Sequence, residues 1–148
     1  MVRAVSLLSA HEGRPVRDVL ILSAEQRRLP SGIVTGLRGT EIALTLPAGT
    51  RLRQDDILLL DDGGIVDIVA RPEPLLEVRT ADLVSLARAA WLLGDHHIPV
   101  EIHGRYLRLM HTEAAANLLR PLGASVRVIE APFEPEGGAY EHSGDNEV

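Results

Sequence analysis

The sequence has no cysteine and no lysine, and its 148 residues include one Trp, one Phe and two Tyr. Each scarcity excludes something. Without a thiol there can be no disulfide and no thiolate metal site, so any metal must be held by nitrogen and oxygen. Few aromatic faces are available for stacking bases, and a net charge of −6 opposes the phosphate neutralisation that dominates nucleic-acid affinity. An anionic membrane surface would repel the same charge. No run of about 18 apolar residues is long enough to span a bilayer. Met1-Val2-Arg3-Ala4-Val5-Ser6 does not begin a charged-then-apolar leader. A cytoplasmic setting is expected, with neither nucleic acid nor membrane as partner. Proteins, small ligands and cations remain.

What is present is ample for a core. Apolar residues make up 45% of the chain, mostly aliphatic, so one domain or two small ones can form around Leu, Val, Ile and Ala. The acids are uneven: Glu130, Glu134, Glu136, Glu141, Asp145 and Glu147 follow one another with no Arg between them.

The first half reads as β. Residues 17–22 form a short apolar run. Residues 32–36 and 41–46 flank the turn-like Leu37-Arg38-Gly39-Thr40, and residues 56–60 and 65–70 flank Asp61-Asp62-Gly63-Gly64, the strongest hairpin signal in the chain. A small sandwich or barrel over residues 1–72 is expected. Arg71-Pro72-Glu73-Pro74 reads as a linker, because the two prolines cannot continue a ladder. Residues 75–78 then start a different pattern. Thr80 is placed to cap a helix carrying Leu83, Leu86, Ala87, Ala90 and Leu93, with Gly94 at its end. Residues 99–102 and 106–109 form a hairpin. Thr112 caps a second helix that Pro121 shortens, and residues 125–129 make a last strand. The order β-α-β-β-α-β is the ferredoxin-like split pattern, giving an α+β chain whose second domain covers residues 73–131. Residues 132–148, rich in Pro, Gly and acids, read as a flexible acidic tail.

Familiar catalytic arrangements are missing: no HExxH, no GxSxG, no phosphate loop and no GxGxxG after a strand. No catalytic residue is therefore assigned. The acid pairs Asp55-Asp56 and Asp61-Asp62 sit at turns, where solvated carboxylates are ordinary. Histidine is more informative. His96, His97, His103 and His111 lie within residues 96–111, His142 is in the tail, and His11 stands apart as a surface residue. Read as an extended segment, Ile98, Val100 and Ile102 define the apolar face, which His96 shares. His97 shares the outer face with Glu101 and His103. One exposed imidazole holds a metal weakly, but a two-fold axis beside His97 would supply a second. His111 precedes a helix amino end, where a ring is kept neutral and able to ligate. His103 reads as a turn residue. These donors suit Ni, Cu or Zn without choosing among them.

The segment Leu93-Gly94-Asp95-His96-His97-Ile98-Pro99 resembles the LGNRHxP signature of the UreE family, the urease accessory nickel chaperones. Asp61-Asp62-Gly63 with Arg71-Pro72-Glu73-Pro74-Leu75 resembles that family's domain junction. Residues 131–140, APFEPEGGAY, are similar to its carboxy-terminal motif. The resemblance implies a non-enzymatic homodimer with an amino-terminal β domain of the peptide-binding Hsp40 type. It implies one Ni(II) held as cargo between the two copies of His97, with His142 as auxiliary ligand. Nickel would pass through an accessory GTPase to the urease apoprotein complex, and Zn(II) or Cu(II) could occupy the same site. The sequence departs from the family pattern in three places. Asp95-His96 replaces the usual Asn-Arg, which makes His96 a secondary candidate. His111 fills the first position of an HxH pair whose second is Glu113. Of a histidine-rich tail only His142 is present. The alternatives are a metal-independent interaction module and a metallohydrolase with three protein ligands and an open position.

Overall fold

A computed structural model gives the fold and describes residues 1–28 and 30–137. These residues divide into two compact units, Met1–Arg71 and Pro72–Gly137. Together they make an α+β chain, with an amino-terminal β unit and a mixed carboxy-terminal unit.

The first unit contains β1 (Val2–Leu8), β2 (Val16–Leu22), α1 (Ala24–Arg28), β3 (Ser31–Thr35), β4 (Glu41–Thr45), β5 (Ile57–Leu60) and β6 (Ile65–Ala70). Its six strands join in one order, β2-β6-β5-β1-β4-β3. The pairs β1–β4 and β2–β6 are parallel and the others antiparallel. Strand periodicity explains the core: Leu20 and Leu22 of β2, Ile42 and Leu44 of β4, and Leu58 and Leu60 of β5 pack with Ala4, Leu52, Val66 and Ile68. In the β5–β6 turn Gly63 takes φ 87, which only glycine adopts freely, and Asp62 accepts from the Gly64 amide at 3.0 Å. Two elements lie outside the periodicity reading. β1 fully buries only Ala4, so it carries no apolar stripe. α1 spans five residues and is specified instead by a capping box: the Gln26 amide donates to Ser23 Oγ at 3.2 Å, and the Ser23 amide to Gln26 Oε1 at 2.8 Å.

Asp18, fully buried on β2, organises the β3–β4 turn. Its carboxylate accepts from the amides of Val19 (2.7 Å), Arg38 (2.9 Å) and Thr40 (3.1 Å). Burial pushes its pKa up, but these amide bonds outweigh burial and hold the group below the usual carboxylate range. A Cβ on Gly36 would stand 2.3 Å from the Asp18 carboxyl group. Asp18→Ala strands three amide donors, so urea denaturation should show a loss of about 2–3 kcal/mol. Gly36→Ala should be destabilising through the same carboxylate, and near-neutral behaviour of both variants would refute this role.

The second unit contains β7 (Pro72–Arg79), α2 (Leu83–Asp95), β8 (Glu101–Ile102), β9 (Leu107–Met110), α3 (Glu113–Leu119) and β10 (Ser125–Pro132), with a short 3-10 turn at Arg120–Leu122. The sheet order is β10-β7-β9-β8, antiparallel throughout, which is the split βαββαβ arrangement. Leu76, Val78, Leu107 and Leu109 face Leu86, Ala89 and Leu93 of α2 and Ala115 and Leu119 of α3. Pro121 confines the end of α3 to the 3-10 turn, with Gly123 at φ 68 beyond it. No helix among the described residues is long and apolar enough to cross a membrane.

The structure corrects three local expectations. Pro72 and Pro74 are not in a linker but in β7. There β10 pairs along one side from Arg79 to Pro72, whereas β9 reaches only Leu75 to Val78, so the missing proline N–H groups break no ladder on the open side. The cap of α2 is Asp82, which accepts from the Ser85 amide at 2.7 Å, while the Thr80 hydroxyl donates to the Asp82 carbonyl. A loose tail does not begin at Pro132: that residue still pairs in β10, and Phe133 is 2% exposed.

Candidate metal centre

The expected ligands sit at a helix end, not on a strand. His96 is the C-cap of α2, and His97 follows with φ 59. The His97 amide donates to the Gly94 carbonyl at 3.0 Å and the Ile98 amide to Leu93 at 2.9 Å. These two bonds form a Schellman closure, with Ile98 and Leu93 supplying its apolar contact in the core. The αL position in such a closure normally belongs to glycine. Gly94, whose sequence position suggests that role, lies inside the helix instead. A β-carbon in the αL region costs roughly 1 kcal/mol, so His97 occupies a strained backbone while its ring projects into solvent. Strand parity therefore does not apply to His96 and His97, and both side chains are exposed. Parity also inverts further along: Glu101 is 8% exposed and Ile102 53%, the reverse of the expected faces.

An apolar stripe leads to this helix end. Leu83, Val84 and Trp91 are 62%, 61% and 69% exposed; Val84 and Trp91, seven residues apart, share the side of α2 away from Leu86, Ala89 and Leu93, and Leu83 opens the helix beside them. Large apolar side chains at one helix face without a partner mark an interaction surface. Trp91 lies four residues, about 6 Å of helical rise, before the end of α2 at Asp95.

The other histidines are dispersed. His111 is exposed just before the N-cap Thr112, and its amide donates to the Pro74 carbonyl at 3.1 Å. His103 is engaged elsewhere: its Nε2 lies 2.5 Å from Glu101 Oε2, and its ring stacks on Tyr106 at 4.4 Å. His11 Nε2 lies 2.8 Å from Asp67 Oδ1. His142 falls outside the described residues. Among those residues, no three His, Asp or Glu side chains converge where a metal could be held.

Sequence reasoning does not find the strongest electrostatic feature. Glu77, 4% exposed on β7, meets Arg108 at 3.3 Å, Arg127 at 3.0 Å and Arg79 at 3.2 Å. Burial raises its pKa, but the bonds from Arg108 and Arg79 and the charge of Arg127 outweigh that and hold it low. Arg79 and Arg108 also lie over the Tyr106 ring, at 4.6 and 5.1 Å from its centroid. Through one carboxylate this cluster ties β7, β9 and β10 together.

Comparison with known proteins places the chain in a family. Residues 4–71 match the amino-terminal domain of the UreE urease accessory protein, and residues 73–148 match its carboxy-terminal domain. A urease accessory protein UreE of Beijerinckia indica is 43% identical over 149 residues, covering 99% of this chain and 85% of that protein. One from Rhodopseudomonas palustris strain HaA2 is 43% identical over 88% of this chain and 60% of its own length. One from Burkholderia lata is 50% identical over 69% of this chain and 49% of its own. The chain thus spans 85% of the first relative but only 60% and 49% of the other two. Two domains of this kind define an accessory protein and not an enzyme. The chain belongs to the UreE family of urease accessory proteins.

Proposed function

We propose that this protein is a nickel metallochaperone that carries Ni(II) to apo-urease while the urease active site is assembled. The metal is held at a homodimer interface by His97 from each protomer. The observation that carries this reading is an exposed imidazole, held in a strained cap position, at the end of an unpartnered apolar stripe on α2. A second copy packed on Leu83, Val84 and Trp91 across a two-fold axis brings one His97 towards the other, because an isologous contact doubles whatever lies beside its axis. Few ligands on a surface suit delivery, since cargo must leave again. His142 serves as auxiliary ligand, with His96 and His111 as secondary donors. Imidazole donors also accept Zn(II) or Cu(II). An accessory GTPase and the urease apoprotein complex are the partners, in the cytoplasm, with the amino-terminal domain of residues 1–72 as docking surface and residues 73–131 as metal-binding domain.

Trp91→Glu tests the arrangement. A buried Trp anchor is commonly worth about 2 kcal/mol or more, so the variant should dissociate to monomers in sedimentation and lose its tight nickel. A variant that stays dimeric with unchanged nickel affinity would refute the α2 interface.

A further inference from the structure

Each of the two sheets has two edge strands, and a bare edge offers its free N–H and C=O groups to any other chain. Three of the four edges are blunted. β8 is two residues long and is covered by Glu136, whose amide donates to the Val100 carbonyl at 2.7 Å and whose Oε1 accepts from the Ile102 amide at 3.1 Å. β2 shifts register between Val16 and Asp18, and its Val19 carbonyl accepts from the Leu37 amide at 3.0 Å. β3 is five residues long and carries Gly32 at φ 83, which interrupts its extended run.

β10 has none of these devices. It runs eight residues against β7 with no register shift, and among the described residues no strand lies on its other side. The pairing with β9 shows which groups point outward. The His111 amide donates to the Pro74 carbonyl, so even-numbered residues of β7 turn their polar backbone groups to β9 and odd-numbered ones to β10. The odd-numbered residues of β10, which stand opposite those, bond to β7. Val126, Val128 and Glu130 therefore direct N–H and C=O away from the sheet. Val126 and Val128 are also 37% and 56% exposed, although Val78 and Leu76 opposite them on β7 are buried. The apolar layer thus runs out to this edge uncovered.

We infer that β10 pairs with β10 of a second copy of this chain, antiparallel across a two-fold axis at Val128. Symmetry and the outward groups leave few registers. An axis at Arg127 sets two guanidiniums directly opposite each other, which is destabilising. An axis at Ile129 sets Val126 opposite Pro132, which has no N–H to return. With the axis at Val128, that residue meets its own counterpart, Val126 faces Glu130 and Arg127 faces Ile129, so no like charges oppose. This register makes about six backbone hydrogen bonds and lays the two valines of each copy side by side. Neither α2 nor any histidine takes part, so the pairing does not depend on the nickel reading. One strand pair is smaller than a standard interface of about 1,600 Å², which puts its dissociation constant above about 1 μM.

The test is amide hydrogen exchange of the full chain from about 10 μM to about 1 mM, with its mass read by sedimentation. The amides of Arg127 and Ile129, bonded to β7, should exchange slowly throughout. Those of Val126, Val128 and Glu130 should become slow only as concentration rises, in step with a doubling of the mass. Val128→Pro removes an outward N–H without breaking a bond to β7. Val128→Arg keeps that N–H and puts two like charges on the axis. Both variants should lose the protection and one doubling of the mass. The chain has no cysteine, so Val128→Cys should give a disulfide-linked dimer on oxidation, directly opposed Cα atoms being about 5.5 Å apart. Val126→Cys, four residues out of register with its counterpart, should not. Fast exchange of the three amides at every concentration would overturn the inference and leave the edge to a strand of another protein. An unchanged mass in both Val128→Pro and Val128→Arg would overturn it in favour of another face, and equal linking of Val126→Cys and Val128→Cys would overturn the register.

Discussion

Replacing Glu77 with alanine is expected to destabilise the carboxy-terminal unit by about 2–3 kcal/mol. Breaking a buried ion pair often costs about 3–5 kcal/mol because the remaining charge cannot escape. Here Arg127 and Arg79 are largely exposed and can return to water, and only Arg108 stays mostly covered, which moves the expectation to the lower end. Glu77→Gln keeps the acceptor oxygen and should lose less. The pH dependence has a definite sign. The native pKa of Glu77 is lowered from 4.5, so its contribution is fully present above that value and is lost as pH falls from there through the native pKa. Asp18 acts in the same direction from 3.8. Urea titrations at pH 7 and at acid pH should show that Glu77→Gln flattens the acid slope of stability. A wild-type slope in that variant would contradict the assignment.

The second large effect is at His97, where glycine should leave the fold at least as stable and remove the proposed nickel binding. With φ 59 in the Schellman closure, His97→Gly removes roughly 1 kcal/mol of β-carbon strain. The greater freedom of glycine in the unfolded chain takes back about 0.5–1 kcal/mol of that. Net stability should therefore hold level or rise slightly. His97→Ala keeps the strain and should be less stable than His97→Gly. Nickel affinity should fall by more than about 100-fold in both, since loss of outer-shell partners alone already costs about 10–100-fold. If glycine instead destabilised the helix end, the imidazole would have a structural role there, and the strain would not be a cost borne for binding.

What the sequence reveals divides along the range of the interactions. The Asp61-Asp62-Gly63-Gly64 turn, the two hairpins of the first unit and the βαββαβ order are local and periodic, and they can be read directly. The motif directs attention to His97, yet the local geometry there cannot be read from it. Gly94 offers itself as the C-cap, and only the full register of α2 shows that Leu93 and Gly94 accept the closing bonds from Ile98 and His97. Parity fails at the two-residue β8, where the Glu134 amide and Arg108 reach Glu101 on the side expected to face water. Glu77 meets Arg127 fifty residues away, and no local pattern announces that pairing. Pro72 and Pro74 mislead for the same reason: whether a proline breaks a ladder depends on which neighbour strand reaches it.

The central claim, that two copies of His97 share one nickel ion, is tested most directly by calorimetric nickel titration of wild type and His97→Ala, with the mass of each measured by light scattering. The account predicts about one tight nickel per wild-type dimer, and a variant that remains dimeric but has lost that site. Undiminished tight binding by a dimeric His97→Ala would contradict it and move the metal to other donors.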